Sequence, residues 1–249
     1  MQRLGPAQLV LVRHGESIGN LADRAAREAG ASRLDLQDRD ADVPLSDQGH
    51  EQARALGSHL AGVAVNARPT AVLSSPYRRS ADTARIALET AGLDVPLLYD
   101  ERLRERELGV FDGLTGTGIR AEYGEEASRR EHLGKFYYRP PGGESWCDVA
   151  LRVRSLLRDI GTRPATDRLW IFTHQAVITS FRYVLERMDE AEVLELDRSV
   201  NVPNASTTTY RRGVAGVPVL VDYASSTAVE DAGSEATHEP DHAGSGSGS

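Results

Sequence analysis

The sequence predicts an α/β fold with a mostly parallel central sheet. Short apolar runs typical of buried strands alternate with longer stretches whose apolar residues have helical spacing. Two of these runs, at residues 9–12 and 168–173, are followed closely by His14 and His174. Parallel strands end at one edge of a sheet, where open α/β folds bind ligands. We therefore expect both imidazoles at that edge.

The composition of this chain of 249 residues allows one sizeable α/β domain, or at most two small ones, and argues against several classes of function. A net charge of −8 argues against sequence-independent binding to nucleic acid or to anionic lipid. No stretch resembles a signal peptide or a membrane span, and the single cysteine, Cys147, excludes an internal disulfide. We expect a cytoplasmic protein without a zinc site, because no Cys/His cluster has metal-ligand spacing.

The first strand leads into Arg13, His14 and Gly15, a combination that suggests an anion site containing a nucleophile. Glycine lets the backbone approach a ligand, and Ser17 is expected at the start of the next helix. That helix gives way to residues 31–43, which are rich in Asp and Arg. This segment either borders the site or is a solvated surface loop.

The second strand, predicted at residues 71–74, is followed by a helix start with two adjacent arginines, Arg78 and Arg79. Ser75 is expected to cap this helix, since proline is tolerated in a first turn. An earlier helix is predicted to begin at Ser46 and to serve only in packing. Because helix N-termini bind anions, one of the two arginines is expected to face the same ligand as the histidines.

Several motifs, in the right order from Leu9 to Tyr223, resemble the histidine phosphatase (phosphoglycerate mutase-like) superfamily. They are L-V-R-H-G-E-S from Leu11 with Asn20, P-L-S-x-x-G-x-x-Q-A from Pro44, S-S-x-x-x-R from Ser74, L-x-E-x-x-x-G-x-x-x-G-L-T from Leu103, R-P-x-G-G-E-S from Arg139, and H-Q-A-V from His174. The resemblance implies a three-layer α/β/α fold with a mostly parallel central sheet. It also implies a domain at residues 1–223.

By this resemblance, His14 would be the nucleophile that forms a phosphohistidine. Three side chains would hold the phosphoryl oxygens: Arg13, Arg79 and His174. The register assigns Arg79 rather than Arg78, and an error of one residue would exchange the two. Glu105, rather than Glu107, would be the proton donor and acceptor; the alternative is that both glutamates are surface partners of neighbouring arginines.

Five residues are candidates for contacting the substrate: Ser17, Asn20, Lys135, Arg139 and Gln175. Lys135 and Arg139 lie in a loop rich in Pro and Gly, and the alternative is that both are solvated charges. Gln175 stands where the family commonly has glycine. His-Gln-Ala-Val is the form found in fructose-2,6-bisphosphatase domains, whereas cofactor-dependent mutases usually carry His-Gly-Asn-Ser.

These features predict a phosphatase, independent of metals and cofactors, that hydrolyses the phosphate monoester of a small metabolite. The alternatives are a cofactor-dependent mutase of the phosphoglycerate type and a phospholigand-binding module without turnover. The only partner expected is a small phosphorylated substrate, with no nucleic acid and no membrane. A homodimer is compatible with the sequence, which does not decide the oligomeric state.

The composition changes at residue 224. From there to residue 249 the chain consists largely of Ser, Thr, Ala, Glu, Asp and Gly and ends in Gly-Ser repeats. Such a segment has too little apolar surface to offset the entropy cost of folding. The sequence therefore predicts a disordered acidic tail at residues 224–249.

Overall fold

The central feature of the fold is a sheet between two layers of helices, seen in a computed structural model that describes residues 5–164 and 166–238. The strands are β1 (Gln8–Arg13), β2 (Ala71–Ser74), β3 (Leu97–Tyr99), β4 (Arg168–Thr173), β5 (Thr207–Arg212) and β6 (Pro218–Ser225). The helices are α1 (Ile18–Glu28), α2 (Asp47–Gly62), α3 (Arg78–Ala91), α4 (Gly116–Glu122), α5 (Gly124–Leu133), α6 (Trp146–Ile160), α7 (Gln175–Leu185), α8 (Glu190–Ser199) and α9 (Thr227–Glu230). Across the described ranges, no helix has both the length and the apolar character needed to cross a bilayer.

The sheet has the strand order β3-β2-β4-β1-β5-β6, and its first four strands run parallel. Strands β5 and β6 add an antiparallel edge beside β1. The last residue of β1, Arg13, pairs with the last residue of β4, Thr173, and the His14 amide donates to the Thr173 carbonyl at 3.0 Å. The residues that follow the two strands, His14 and His174, therefore lie side by side.

Alternate residues of β1 enter two separate cores, as expected for a sheet covered on both faces. Leu9 and Leu11 pack with apolar residues of α6 and α7. Val10 and Val12 pack on the opposite face with residues of α2 and α3. The predicted three-layer α/β/α architecture with a mostly parallel sheet is confirmed.

The end of the described chain corrects the predicted boundary at residue 223, which falls inside β6. The helix that follows, α9, lies against α2, and Val229 is fully buried with Ala55 and Ala205. A segment of low overall hydrophobicity is thus ordered because two small apolar residues, Ala228 and Val229, meet a surface that fits them. Composition reports how much apolar area a segment has, but not whether a complementary surface is available.

Residues after α9 add polar contacts to the same surface. The Gln52 amide donates from Nε2 to the Glu235 carbonyl and to Thr237 Oγ1, both at 2.9 Å. The backbone N–H of Asn204 donates to the Thr237 carbonyl at 2.8 Å. Residues 224–238 therefore belong to the domain, while the prediction for residues 239–249 lies outside the described residues.

Candidate active site

His14 follows β1 directly and is almost completely buried. Its Nδ1 lies 2.8 Å from the Gly15 carbonyl oxygen, which can only accept, so Nδ1 carries the proton. Its Nε2 accepts from Arg79 Nε at 3.3 Å. The two contacts together select the tautomer that carries its proton on Nδ1 and its lone pair on Nε2.

The protonation state of both histidines follows from their surroundings. Burial, and then the positive charges of Arg79 and Arg13, hold the pKa of His14 well below its ordinary value of 6.5. Burial and the Arg79 charge likewise hold the pKa of His174 well below that value. Both imidazoles are therefore neutral at neutral pH, as a nitrogen nucleophile requires.

The low pKa values of His14 and His174 predict how stability depends on pH. The unfolded chain takes up protons at these histidines below about pH 6.5, while the folded chain does not, so acid favours unfolding. We expect stability to fall as the pH drops below 6.5, by up to about 1.4 kcal/mol per pH unit for each histidine. Urea unfolding between pH 7 and 5 measures this slope.

A variant with glutamine at both histidine positions provides the control for this pH dependence. It removes the two imidazoles but keeps every other titrating group, so its stability should change less with pH over the same range. An equal slope in the wild-type protein and in this variant would assign the acid sensitivity to other groups.

Two arginines supply the positive charge of the site. Arg13 is fully buried at the end of β1 and donates to the Val202 carbonyl. Arg79 is buried in the first turn of α3, whereas Arg78 is exposed and pairs with Asp82 at 3.6 Å. Of the two arginines, Arg79 is therefore the one that reaches His14, and its contact with a ligand stays a prediction. Among the described residues, no group of His, Cys, Asp and Glu is arranged to hold a metal ion.

His174 lies beside His14, with 5.0 Å between the two ring centroids. Its Nε2 is 2.9 Å from Ser75 Oγ, and its buried Nδ1 has no hydrogen-bond partner in residues 5–164 and 166–238. The expected cap by Ser75 is wrong, because α3 begins later and Tyr77 occupies its N-cap position. The Ser75 hydroxyl instead orients His174, which leaves Nδ1 available to a ligand.

The motif from Pro44 to Ala53, expected only to pack, supports the loop that carries His14. A Cβ atom at Gly49 would lie 1.9 Å from the Glu16 carbonyl oxygen, so only glycine permits this approach. Gln52 Oε1 accepts from the Glu16 amide at 2.8 Å, and Thr83 Oγ1 accepts from the Gly15 amide at 3.0 Å. Helices α2 and α3 therefore hold the loop that carries His14 from two sides.

The predicted acid, Glu105, follows a 3₁₀ turn at Glu101–Leu103. Thr173 Oγ1 donates to the Leu103 carbonyl at 2.7 Å, which ties this segment to the end of β4 next to His174. The Glu105 carboxylate accepts from the Arg106 amide at 2.7 Å. The structure thus brings the glutamate segment to the same sheet edge as the histidines.

A buried carboxylate holds the Glu105 segment from its other side. Glu144, from the loop before α6, accepts from Arg152 Nε at 3.0 Å and from the Glu107 amide at 3.1 Å. Arg152 in turn donates to the Glu105 carbonyl at 3.3 Å. Glu144 therefore fixes the position of the segment that carries Glu105. It does not cap α6, because Ser145 is the N-cap residue of that helix.

Arg106 is a candidate that the sequence analysis treated only as a partner of neighbouring glutamates. Its guanidinium lies 5.8 Å from the centre of the Trp146 ring, and Lys135 Nζ lies 5.9 Å from the same ring. Burial, and then the positive charge of Arg130, lower the pKa of Arg106, while the charges of Glu105, Asp197 and Glu144 act in the opposite direction. This guanidinium follows Glu105 in the chain and is a candidate for contacting an anionic group of a substrate.

Of the other predicted substrate contacts, Ser17 and Asn20 are occupied within the protein, whereas Gln175 is not. Ser17 and Asn20 form the capping box of α1, in which the Ser17 amide donates to Asn20 Oδ1 at 2.9 Å. Asn204, which the sequence analysis did not single out, donates to the His14 carbonyl at 3.2 Å. Gln175 begins α7, and its buried Oε1 has no partner within the described ranges.

The structure does not bring Arg139 into the site. Its side chain is 63% exposed and donates from Nε to Asp148 at 2.7 Å, because the first turn of α6 offers a carboxylate there. Lys135 pairs with Asp197 at 2.5 Å while remaining against Trp146. The prediction that Arg139 contacts the substrate is therefore corrected. Lys135 lies against the same tryptophan as Arg106, and Asp197 neutralises its charge.

Known proteins are similar to this chain in sequence. The sequence profile of the histidine phosphatase superfamily (branch 1) matches residues 9–221. A 2,3-bisphosphoglycerate-dependent phosphoglycerate mutase of Rhizobium meliloti is 32% identical over 220 residues, which cover 84% of this chain and 95% of the mutase. A second such mutase, from Gloeobacter violaceus, is 40% identical over 148 residues, 59% of each chain.

Solved structures are similar over nearly the whole domain. A mycobacterial glucosyl-3-phosphoglycerate phosphatase superimposes with a TM-score of 0.68 at 27% sequence identity, covering 88% of this chain and 99% of the phosphatase. The profile match extends from β1 to β6 and includes both histidines, Arg79 and Glu105. The chain therefore belongs to the histidine phosphatase superfamily, branch 1, whose members include phosphatases and mutases.

Proposed function

We propose that this protein is a phosphatase that hydrolyses the phosphate monoester of a small metabolite through a phosphohistidine on His14. The observation that carries the proposal is the state of His14, a neutral imidazole with its Nε2 lone pair held next to Arg79 Nε, 3.3 Å away. Arg79, the fully buried Arg13 and His174 would stabilise charge on the phosphoryl oxygens. His174 Nδ1 is buried and has no hydrogen-bond partner among the described residues, so it would be available to a phosphoryl oxygen.

In the first step, the His14 Nε2 lone pair forms a bond to phosphorus while the bond between phosphorus and the leaving oxygen breaks. The protonated Glu105 carboxyl donates its proton to that oxygen, and the alcohol leaves. The imidazole becomes positively charged as it is phosphorylated. The Gly15 carbonyl, 2.8 Å from Nδ1, accepts the hydrogen bond of the charged ring and stabilises it.

In the second step, the Glu105 carboxylate takes a proton from water, and the water oxygen attacks phosphorus. The bond between phosphorus and Nε2 breaks, its electron pair returns to the imidazole, and inorganic phosphate leaves. Glu105 is protonated again and His14 is neutral, so the cycle closes without an outside proton donor.

A mutase is the second candidate, favoured by the identity to phosphoglycerate mutases, 32% over 84% of the chain in one case. The two activities differ in whether the phosphohistidine transfers its phosphoryl group to water or to a second alcohol. Gln175 supports the phosphatase, because it replaces the glycine after the second histidine, and its unpartnered Oε1 is available to a substrate hydroxyl.

Phosphate release from a panel of phosphorylated metabolites tests the proposal. The panel contains sugar phosphates, sugar bisphosphates, phosphoglycerates and phosphorylated nucleosides, each assayed with and without EDTA. We expect release from at least one compound and the same rate with the chelator. Isomerisation of phosphoglycerates without phosphate release would favour the mutase instead.

Replacing Glu105 with glutamine separates an enzyme from a phospholigand-binding module. Glutamine keeps the size of the side chain but neither donates nor accepts the catalytic proton, so we expect kcat to fall about 10²- to 10⁴-fold. Binding of inorganic phosphate, measured by calorimetry, should persist. Glu107→Gln, two residues away, is the matched variant and should lose far less activity; equal losses would contradict the role of Glu105.

A further inference from the structure

The guanidinium of Arg79 is already occupied by a carboxylate of this same chain. Nη1 donates to Asp40 Oδ1 at 2.9 Å and to the Asp40 carbonyl at 2.6 Å, and Nη2 donates to Oδ2 at 3.3 Å. The remaining nitrogen, Nε, donates to His14 Nε2. The Asp40 carboxylate thus holds the two Nη atoms of Arg79, while Nε of the same guanidinium contacts His14.

Carboxylate and phosphoryl groups use the same donors on a guanidinium, because both offer paired oxygens that match its planar fork. A phosphoryl group within reach of His14 Nε2 would need the Nη donors that Asp40 now holds. The two anions therefore compete, since like charges in a buried site repel each other. We infer that Asp40 is an internal competitor for the phosphate site, which substrate must displace and which sets the apparent affinity for phosphoryl groups.

The two partners differ in their freedom to move. The Arg79 side chain is 6% exposed, while that of Asp40 is 41% exposed, at the start of a 3₁₀ turn (Asp40–Asp42) in the Asp- and Arg-rich segment. Beyond the turn, Val43 is buried, and the Pro44 carbonyl accepts from the Ile18 amide at 3.0 Å. Asp40 can therefore turn toward solvent on an anchored segment, whereas Arg79 stays in place.

The competition has a defined consequence for binding. When an internal group occupies the site, the apparent affinity for every anion is the intrinsic affinity multiplied by the fraction of molecules in which the site is open. Phosphate has further contacts available at His14, His174 and Arg13, and it can overcome this loss. The same loss also weakens binding of the product phosphate, and so limits product inhibition. This inference rests on the proposed phosphate site but not on turnover.

Titration of the full-length protein with inorganic phosphate by calorimetry tests the inference. Asp40→Asn keeps the shape of the side chain and removes its charge, so we expect phosphate to bind about tenfold more tightly. The matched control is Asp42→Asn, because Asp42 lies in the same turn but pairs with the exposed Arg39 at 2.6 Å. Its phosphate affinity should equal that of the wild-type protein.

Unchanged or weaker phosphate binding in Asp40→Asn would overturn the inference, as would the absence of phosphate binding in both proteins. A role of Asp40 in positioning Arg79 predicts the opposite kinetic pattern from competition. Competition predicts a lower KM, a lower inhibition constant for phosphate and an unchanged kcat in the variant, while a positioning role predicts a lower kcat. If neither protein hydrolyses any ester, the proposed function fails, and the phosphate titration still decides the inference.

Discussion

Replacing His14 with alanine should abolish phosphate release and leave the fold intact. His14 Nε2 is the imidazole nitrogen that Arg79 Nε contacts, whereas Nε2 of the neighbouring His174 lies against Ser75 Oγ, so we do not expect His174 to replace it. We expect a loss on the order of 10⁶-fold in kcat, the scale of losing a covalent nucleophile. The measurement is phosphate release from the best substrate of the panel, with circular dichroism to verify the fold.

The matched control for His14→Ala is His59→Ala, because His59 is exposed in the last turn of α2. It should leave turnover unchanged. Rapid acid quench of the wild-type protein with labelled substrate should also trap a label that is stable in base and labile in acid, as expected for phosphohistidine. Undiminished turnover by His14→Ala with a native spectrum would exclude the proposed mechanism.

A chain that ends at residue 223 should be markedly less stable than one that ends at residue 238. The shorter chain loses the burial of Val229 and the two contacts that Gln52 makes with Glu235 and Thr237. We expect a loss of about 3–5 kcal/mol, from one buried valine and from a buried amide left without partners. For a domain of this size, the melting temperature should fall by roughly 10 °C.

The chain ending at residue 238 is the control, because it keeps every contact that the described residues make with one another. Thermal unfolding of the two truncated proteins and of the full chain gives the comparison. The shorter protein should also lose activity, since Gln52 Oε1 accepts from the Glu16 amide in the nucleophile loop. Equal melting temperatures for the two truncated proteins would show that residues 224–238 contribute nothing to stability.

The sheet and the histidines could be predicted because their signals are local. Four apolar residues before Arg13 predict a buried strand, and the run before His174 does the same. The carboxyl ends of parallel strands meet at one edge, so two strands leading into histidine are sufficient to bring the imidazoles together. The choice between Arg78 and Arg79 depended on how the motif was aligned. In the folded helix Arg79 is buried and Arg78 is exposed.

Side-chain partners across the fold could not be predicted in the same way. Ser75 was expected to cap a helix, but its hydroxyl contacts His174, a residue distant in sequence that β4 brings alongside β2. Arg139 was expected to meet substrate, and it pairs with Asp148 because α6 begins beside it. Both outcomes depend on which polar group comes within hydrogen-bond distance, a quantity that local sequence does not encode.

The sequence by itself determined the layered α/β architecture and the two histidines at one sheet edge, because periodicity specifies local backbone and parallel strands end together. The roles of Arg13, Arg79 and Glu105 were expected from the resemblance to a family. Only the tertiary structure decided that Asp40 occupies Arg79 and that residues 224–238 complete the domain. The sequences around Asp40 and Val229 are polar, and they are the same whether these two side chains are solvated or packed. Their roles are decided by the free energy of contacts with distant residues, which exist only once the chain has folded.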